Sequence, residues 1–293
     1  RKTKEAVQGV IYILPSFVLI LIFCIIPIFM SGYFSFTEYN IMNSPKFVGL
    51  DNYIKMFKDS YVTDAAKNTL LYVLMTVPVQ TILALAFAAF LAAKIQNKKG
   101  EFLRSVMFIP VIASAVTAGT VWRIILNTDG GFLNNILNFF HISSVNWLGS
   151  TKTSLLSICI VAVWKNVGYF LVIYYAGIMG IQKDLYEAAR VDGANGWQQF
   201  WKITLKLLTP TIHFNLVMQM INGFLAFTQC LIITQGKPMN STLFYTVYMY
   251  QQSFLFGSTG YGAALAWIML ALIAFITWIL FATKKLWVYD GGL

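Results

Sequence analysis

The chain keeps returning to apolar runs long enough to cross a lipid bilayer. A helix needs about 20 mostly apolar residues to span one. Six stretches qualify, at about 10–33, 69–93, 103–126, 155–178, 211–234 and 263–282. Backbone groups in lipid have to be satisfied within the segment, so helices are the expected form. The expected fold is therefore all-α: a polytopic membrane protein with six transmembrane helices, residues 1–293 forming one transmembrane domain. Only 11% of residues are charged, against roughly 25% in a soluble domain. Pro15, Pro27, Pro78, Pro110 and Pro210 fall in or beside these runs. They predict kinks, because proline removes a helix N–H and crowds the preceding turn.

Net charge is +10. In a soluble protein that would raise nucleic acid as a partner, but here the basic residues sort by loop. Thirteen lie on one side: Arg1, Lys2 and Lys4, the 94–104 loop, the 183–206 loop, and Lys284 with Lys285. Seven lie on the other, and Lys165 is left inside a span. Basic loops stay in the cytoplasm, so the richer side, with both termini, is expected inside. Topology accounts for the charge, and nucleic acid is not needed. The basic start could open a signal peptide, but the run from Val10 to about Met30 is too long for one, and no small-residue cleavage site follows. It reads as a retained span. Cys24, Cys159 and Cys230 lie in apolar runs and read as packing residues.

One stretch breaks the apolar pattern: "DLYEAARVDGANGWQQFWKITL", Asp184 to Leu205. Its charges, amides and small residues have helical spacing, interrupted at Asp192-Gly193. Asp184 and Glu187 suit the positive end of a first helix. Gly193 suits a backbone geometry other residues avoid. In the second helix Trp197, Phe200, Trp201, Thr204, Leu205 and Leu208 share one face. Such a pair could be a connector lying on the membrane surface. It could equally be a docking element, with Ala188 and Ala189 keeping the first helix thin.

"EAARVDGANGWQQFWKITL" resembles the cytoplasmic EAA loop of ABC-transporter permeases: Glu187-Ala188-Ala189, then Gly193, then Ile203 and Leu205. The family's final proline is absent, and Lys206 stands there. "FVGLDNYIKMF" (47–57), "KNTLLY" (67–72), "FLRSVMFIP" (102–110), "DGGFLNNIL" (129–137), "WKNVGY" (164–169) and "YGAALAWIM" (261–269) resemble the carbohydrate-importing, maltose and multiple-sugar branch. The resemblance implies a subunit of a binding-protein-dependent importer in a bacterial cytoplasmic membrane. The partners it implies are a second, different permease, a pair of ATPase subunits and an extracytoplasmic sugar-binding protein. Glu187, Ala188, Ala189, Asp192 and Gly193 would then form a coupling helix seated on the ATPase. ATP and magnesium would bind that partner, leaving this chain without a cofactor or enzymatic activity.

The residues agree with that division of labour. No G-x-x-x-x-G-K-[ST] phosphate loop occurs. His141 and His213 form no metal-ligand cluster with other donors, and His213 reads as a packing residue. The six spans hold no Asp or Glu, which argues against an ion-coupled carrier. An ABC importer of amino acids or peptides is the nearer alternative.

Four amides, Asn215, Gln219, Asn222 and Gln229, form one stripe on the fifth span. They could hold helices together, or line a route for a hydroxyl-rich solute, with Gln219 and Asn222 near mid-bilayer. In the fourth span Lys165 is the embedded charge. It could serve the route, or it could snorkel outward or pair with a carbonyl or carboxylate from the partner permease. Tyr169, one turn away, could stack on a sugar ring.

Overall fold

The computed structural model describes residues 12–95 and 97–289. Arg1, Lys2, Lys4 and the start of the first apolar run lie outside the described residues, as do both termini. Helix α1 (Tyr12–Ser35) leads into a ribbon of β1 (Thr37–Glu38) antiparallel to β2 (Lys46–Phe47), then α2 (Asp51–Lys58). α3 (Ser60–Lys94), α4 (Lys98–Ile112), α5 (Ala115–Ile125), α6 (Phe132–Phe139) and α7 (Ser154–Met179) follow. Next come α8 (Lys183–Val191), α9 (196–207), α10 (Thr209–Phe224) and α11 (Thr228–Ile233). The last two are α12 (245–255) and α13 (Thr259–Trp287).

Among the described residues four helices, α1, α3, α7 and α13, are long and apolar enough to cross a membrane. They cover the runs expected at 10–33, 69–93, 155–178 and 263–282. The runs at 103–126 and 211–234 were each expected as one span, with kinks at the prolines, and both are broken. In the first, α4 and α5 meet at 96°. Pro110 sits two residues from the end of α4, and Ala113 and Ser114 are extended, with ψ 137° and 136°. Ser114 O then accepts from Ala118 N at 2.9 Å, starting a new helix. In the second run the helix stops at Phe224 and resumes at Thr228. The buried Ala226 carbonyl, left over at the break, accepts from Thr246 Oγ1 at 2.5 Å. A side chain supplies the bond that the interrupted helix cannot. Of the other prolines, Pro78 lies inside the continuous α3, and Pro210 opens α10, where a missing N–H costs nothing.

The chain divides into two compact units. One holds residues up to Ser60 with Tyr248–Ala271, and the other holds Tyr61–Val247 with Leu272 onward. In the first, Asn52 Nδ2 donates to the carbonyls of Ser35 and Thr37, both at 2.9 Å, tying α2 to the end of α1. Tyr261 donates to Asp59 at 2.9 Å, and Tyr248 donates to the same oxygen. Burial first, and the Asp59 carboxylate second, raise the Tyr248 phenol above its ordinary value, so it stays a donor. In the second unit the core packs α3 against α7 through Ala84, Ala88, Leu91, Phe170, Leu171 and Tyr174. Alanines on α3 leave room for the Phe170 and Tyr174 rings of α7.

Candidate functional site

The amide stripe resolves into two environments. Asn215 is fully buried and Gln219 nearly so, while Asn222 opens into a cavity of ≈ 400 Å³ within the second unit. That volume lies in the range of about 300–1,000 Å³ usual for small-molecule sites. Tyr169, Gln219, Asn222 and Gln229 all line it, beside Tyr72, Thr76, Gln80, Asn166 and Phe227. Gln229 was expected on the same helical stripe as Asn222. It reaches the cavity from α11, because the chain breaks between them. None of the lining side chains is charged.

Tyr72, Thr76 and Gln80 were not singled out from sequence. They recur at intervals of four on α3, so they share one face, and that spacing was the available signal. Gln80 Nε2 donates to Ala162 O at 3.2 Å. Behind the cavity Thr81 Oγ1 donates to Gln219 Oε1 at 3.3 Å. Asn215, Thr81 and Gln219 face the Tyr174 hydroxyl.

Lys165 is not among the cavity-lining residues. It is 9% exposed, and its ammonium donates to the carbonyls of Pro110 (3.1 Å), Val111 (3.5 Å) and Ala113 (2.7 Å). These carbonyls belong to the chain's own α4–α5 bend. His213 likewise packs: its Nε2 lies 3.1 Å from Leu280 O, with the Phe281 and Trp287 rings beside it. A larger hollow of ≈ 800 Å³ lies in the first unit, among Glu38, Asn40, Lys46, Asp51 and Lys55. Tyr261 lines it, while Lys165, Tyr169, Gln219 and Asn222 do not.

The polar loop is a helix–turn–helix whose geometry is set locally. Gly193 has φ +81°, left-handed, with Gly193 N bonded to Arg190 O (3.0 Å) and Ala194 N to Ala189 O (2.8 Å). This pair of hydrogen bonds is a standard way of ending a helix, and glycine fits it best. Asp192 is the last residue before the reversal. Two residues after Gly193, Asn195 starts α9 with a reciprocal cap: its side chain accepts from Gln198 N, and Gln198 Oε1 accepts from Asn195 N, both at 2.9 Å. Tyr186 and Thr204 hydroxyls, 2.9 Å apart, tie α8 to α9. Glu187 and Ala188 are exposed and Ala189 half-buried. Val191 is 88% and Trp197 70% exposed, leaving an apolar face beside the charges.

Residues 57–285 match the family described as "Binding-protein-dependent transport system inner membrane component". The chain is 38% identical to the probable ABC transporter permease protein YesP of Bacillus subtilis (strain 168), covering 98% of this chain and 93% of that one. It is 31% identical to the probable starch degradation products transport system permease protein AmyD of Thermoanaerobacterium thermosulfurigenes, covering 97% and 98%. It is also 31% identical to the arabinooligosaccharides transport system permease protein AraP of Bacillus subtilis (strain 168), covering 89% and 82%. Among solved structures, a chain of a bacterial alginate ABC transporter, in complex with a periplasmic protein holding an alginate pentasaccharide, shares the fold. Its TM-score is 0.85 at 22% identity, covering 97% of this chain and 96% of that one. With a matched region that takes in most of the chain, the protein belongs to the family of inner-membrane components of binding-protein-dependent transport systems.

Proposed function

We propose that this chain is one of two different permease subunits of an ATP-driven importer that carries an oligosaccharide into the cell. One observation carries the reading. Neutral amides, hydroxyls and aromatic rings of a binding-protein-dependent permease converge on a single cavity without a charged side chain. Amides donate and accept, as sugar hydroxyls do, and the Tyr169 ring suits a sugar's apolar face. An amino acid would bring two charges and meet no counter-charge there. The names of AmyD and AraP agree with a carbohydrate.

In this reading the chain crosses the membrane six times, the bent pair α4–α5 and the broken pair α10–α11 each counting as one crossing. Both termini and the α8–α9 loop face the cytoplasm. Glu187, Ala188, Ala189, Asp192 and Gly193 form the part that seats on one of two ATPase subunits, where ATP and magnesium act. The exposed Val191 and Trp197 supply the apolar contact. Closure of the ATPases moves the loop and turns the cavity outward. The extracytoplasmic binding protein then delivers the sugar, and reopening releases it inward.

The test is uptake by the complete complex in proteoliposomes. Radiolabelled oligosaccharides, amino acids and dipeptides are offered with the cognate binding protein. ATP-dependent oligosaccharide uptake is expected. Asn222→Leu should lower it about tenfold, as loss of one or two buried hydrogen bonds does, while assembly and ATP hydrolysis persist. Uptake of amino acids instead, or undiminished sugar uptake by Asn222→Leu, would sink the reading.

A further inference from the structure

The segment Trp164 to Tyr169 of α7 serves the bent pair and the cavity at once. Trp164 meets Trp122 of α5 edge to face, ring centroids 5.3 Å apart. Gly168 faces α4 so closely that a Cβ there would lie 2.0 Å from Met107 O. Only glycine permits this approach, and it brings the end of α4 within reach of Lys165, three residues earlier on the same face. Asn166 and Tyr169 line the cavity, and so do Val111 and Ala115, which flank the bend.

We propose that Lys165 is a positioning residue: by holding the α4–α5 bend it sets the cavity wall formed by Val111 and Ala115, without touching the transported solute. The proposal rests on the cavity being the solute's path. The last carbonyls of a helix lack intrahelical partners and carry partial negative charge. Pro110, Val111 and Ala113 present three such oxygens at the break, and an ammonium has three donors and no acceptor. These bonds are charge-assisted and hence strong. A methionine of similar length would fill the space and leave all three carbonyls in apolar surroundings. The chain would then relax toward whatever geometry pairs them, and the wall would move with it.

The experiment uses the whole complex with spin labels on cysteines introduced at Phe102 and Ile124, one on each arm of the bend and both 68% exposed. Exposed Cys24 is replaced by Ala, while Cys159 and Cys230 are buried. Distances between the labels are compared for the parent, Lys165→Met and Lys165→Arg. Uptake kinetics use the radiolabelled oligosaccharide selected in the uptake screen above. In Lys165→Met the distance should shift or broaden. The KM for uptake should rise about tenfold, equivalent to one strong hydrogen bond, with ATP hydrolysis unchanged. Lys165→Arg keeps charge and donors and should stay close to the parent in both, which holds the test open even where the methionine variant folds poorly. A raised KM at unchanged distance would overturn the proposal, since Lys165 would then be acting on the solute. A changed distance at unchanged KM would overturn it too, by uncoupling bend from cavity. In that case Asn222→Leu separates the causes. If it impairs uptake, only the Lys165 proposal falls. If it does not, the cavity is not the path, and both fall.

Discussion

At the scale of single residues, one device recurs. A long or amide side chain collects backbone groups that a turn or break has left unpaired. Asn52 takes two carbonyls at the end of α1, and Asn68 takes those of Asn240 and Leu243 at 2.6 and 3.2 Å. Lys165 takes three. Asn134 is the fullest case. Its Nδ2 donates to Asn127 O, Thr128 O and Val145 O at 3.4, 3.0 and 2.9 Å. Its Oδ1 accepts from Val145 N at 3.1 Å and Trp147 Nε1 at 2.9 Å. It is 1% exposed. These residues sit in the motifs "FVGLDNYIKMF", "KNTLLY", "WKNVGY" and "DGGFLNNIL", which gives those motifs a physical content. Replacing Asn134 by Leu removes both functions and leaves several buried groups unpaired, at about 1–3 kcal/mol each. The expected result is a loosened segment 127–147 within a helical protein that still inserts. Limited proteolysis should cut Asn134→Leu within this segment under conditions that spare the parent. Equal resistance would show that the network is dispensable.

At the scale of elements, the α8–α9 loop and the broken spans differ in how their shape is encoded. The loop is specified by neighbours in sequence: Gly193 ends one helix, Asn195 and Gln198 start the next, and Tyr186 meets Thr204. A glycine before an Asn-x-x-Gln cap is legible without a structure. The break at 225–227 is not, because apolar residues continue across it, and at 113–114 Pro110 signals a kink but not a 96° bend. What holds them open comes from far away: Lys165 on α7 for one, Thr246 for the other. The same distance effect explains the site. Tyr169, Gln219 and Asn222 were legible as polar positions in apolar helices. Tyr72, Thr76 and Gln80 gained meaning only when α3 was seen to face them. The loop also carries a prediction. No atom outside the turn lies within 4 Å of a Cβ added at Gly193, so any effect of substitution there is conformational. A β-branched residue at positive φ costs about 1–2 kcal/mol or more, and asparagine much less. Gly193→Val should therefore reach the membrane but lose co-purifying ATPase and uptake, while Gly193→Asn keeps most of both. Wild-type docking and uptake in Gly193→Val would leave the loop a mere surface connector.

At the scale of the whole molecule, the 96° bend raises a question that the charges answer. A bent pair can cross the membrane, or dip in and return on the same side. If α4–α5 crosses, basic residues divide thirteen to seven between the two sides, with Lys165 within the membrane. If the pair dips and returns, every later loop changes side. The 183–206 loop moves outward with its four basic residues, and Lys284 and Lys285 follow. The division becomes ten to ten. Membrane proteins retain Lys and Arg in cytoplasmic loops, and an even division carries no orientation signal. Crossing also keeps the α8–α9 loop on the side where ATP is available, which a partner ATPase requires. The expectation is that Lys98 and Asp129, on either side of the bent pair, face opposite compartments. Single cysteines at these positions, in a background without Cys24, can be probed in intact cells with a membrane-impermeant thiol reagent. The cysteine at Asp129 should label from outside, and the one at Lys98 only after the membrane is opened. Labelling of both from outside, or of neither, would make the pair re-entrant. The coupling role of Glu187 to Gly193 would then fall with it, because the loop would lie on the wrong side of the membrane.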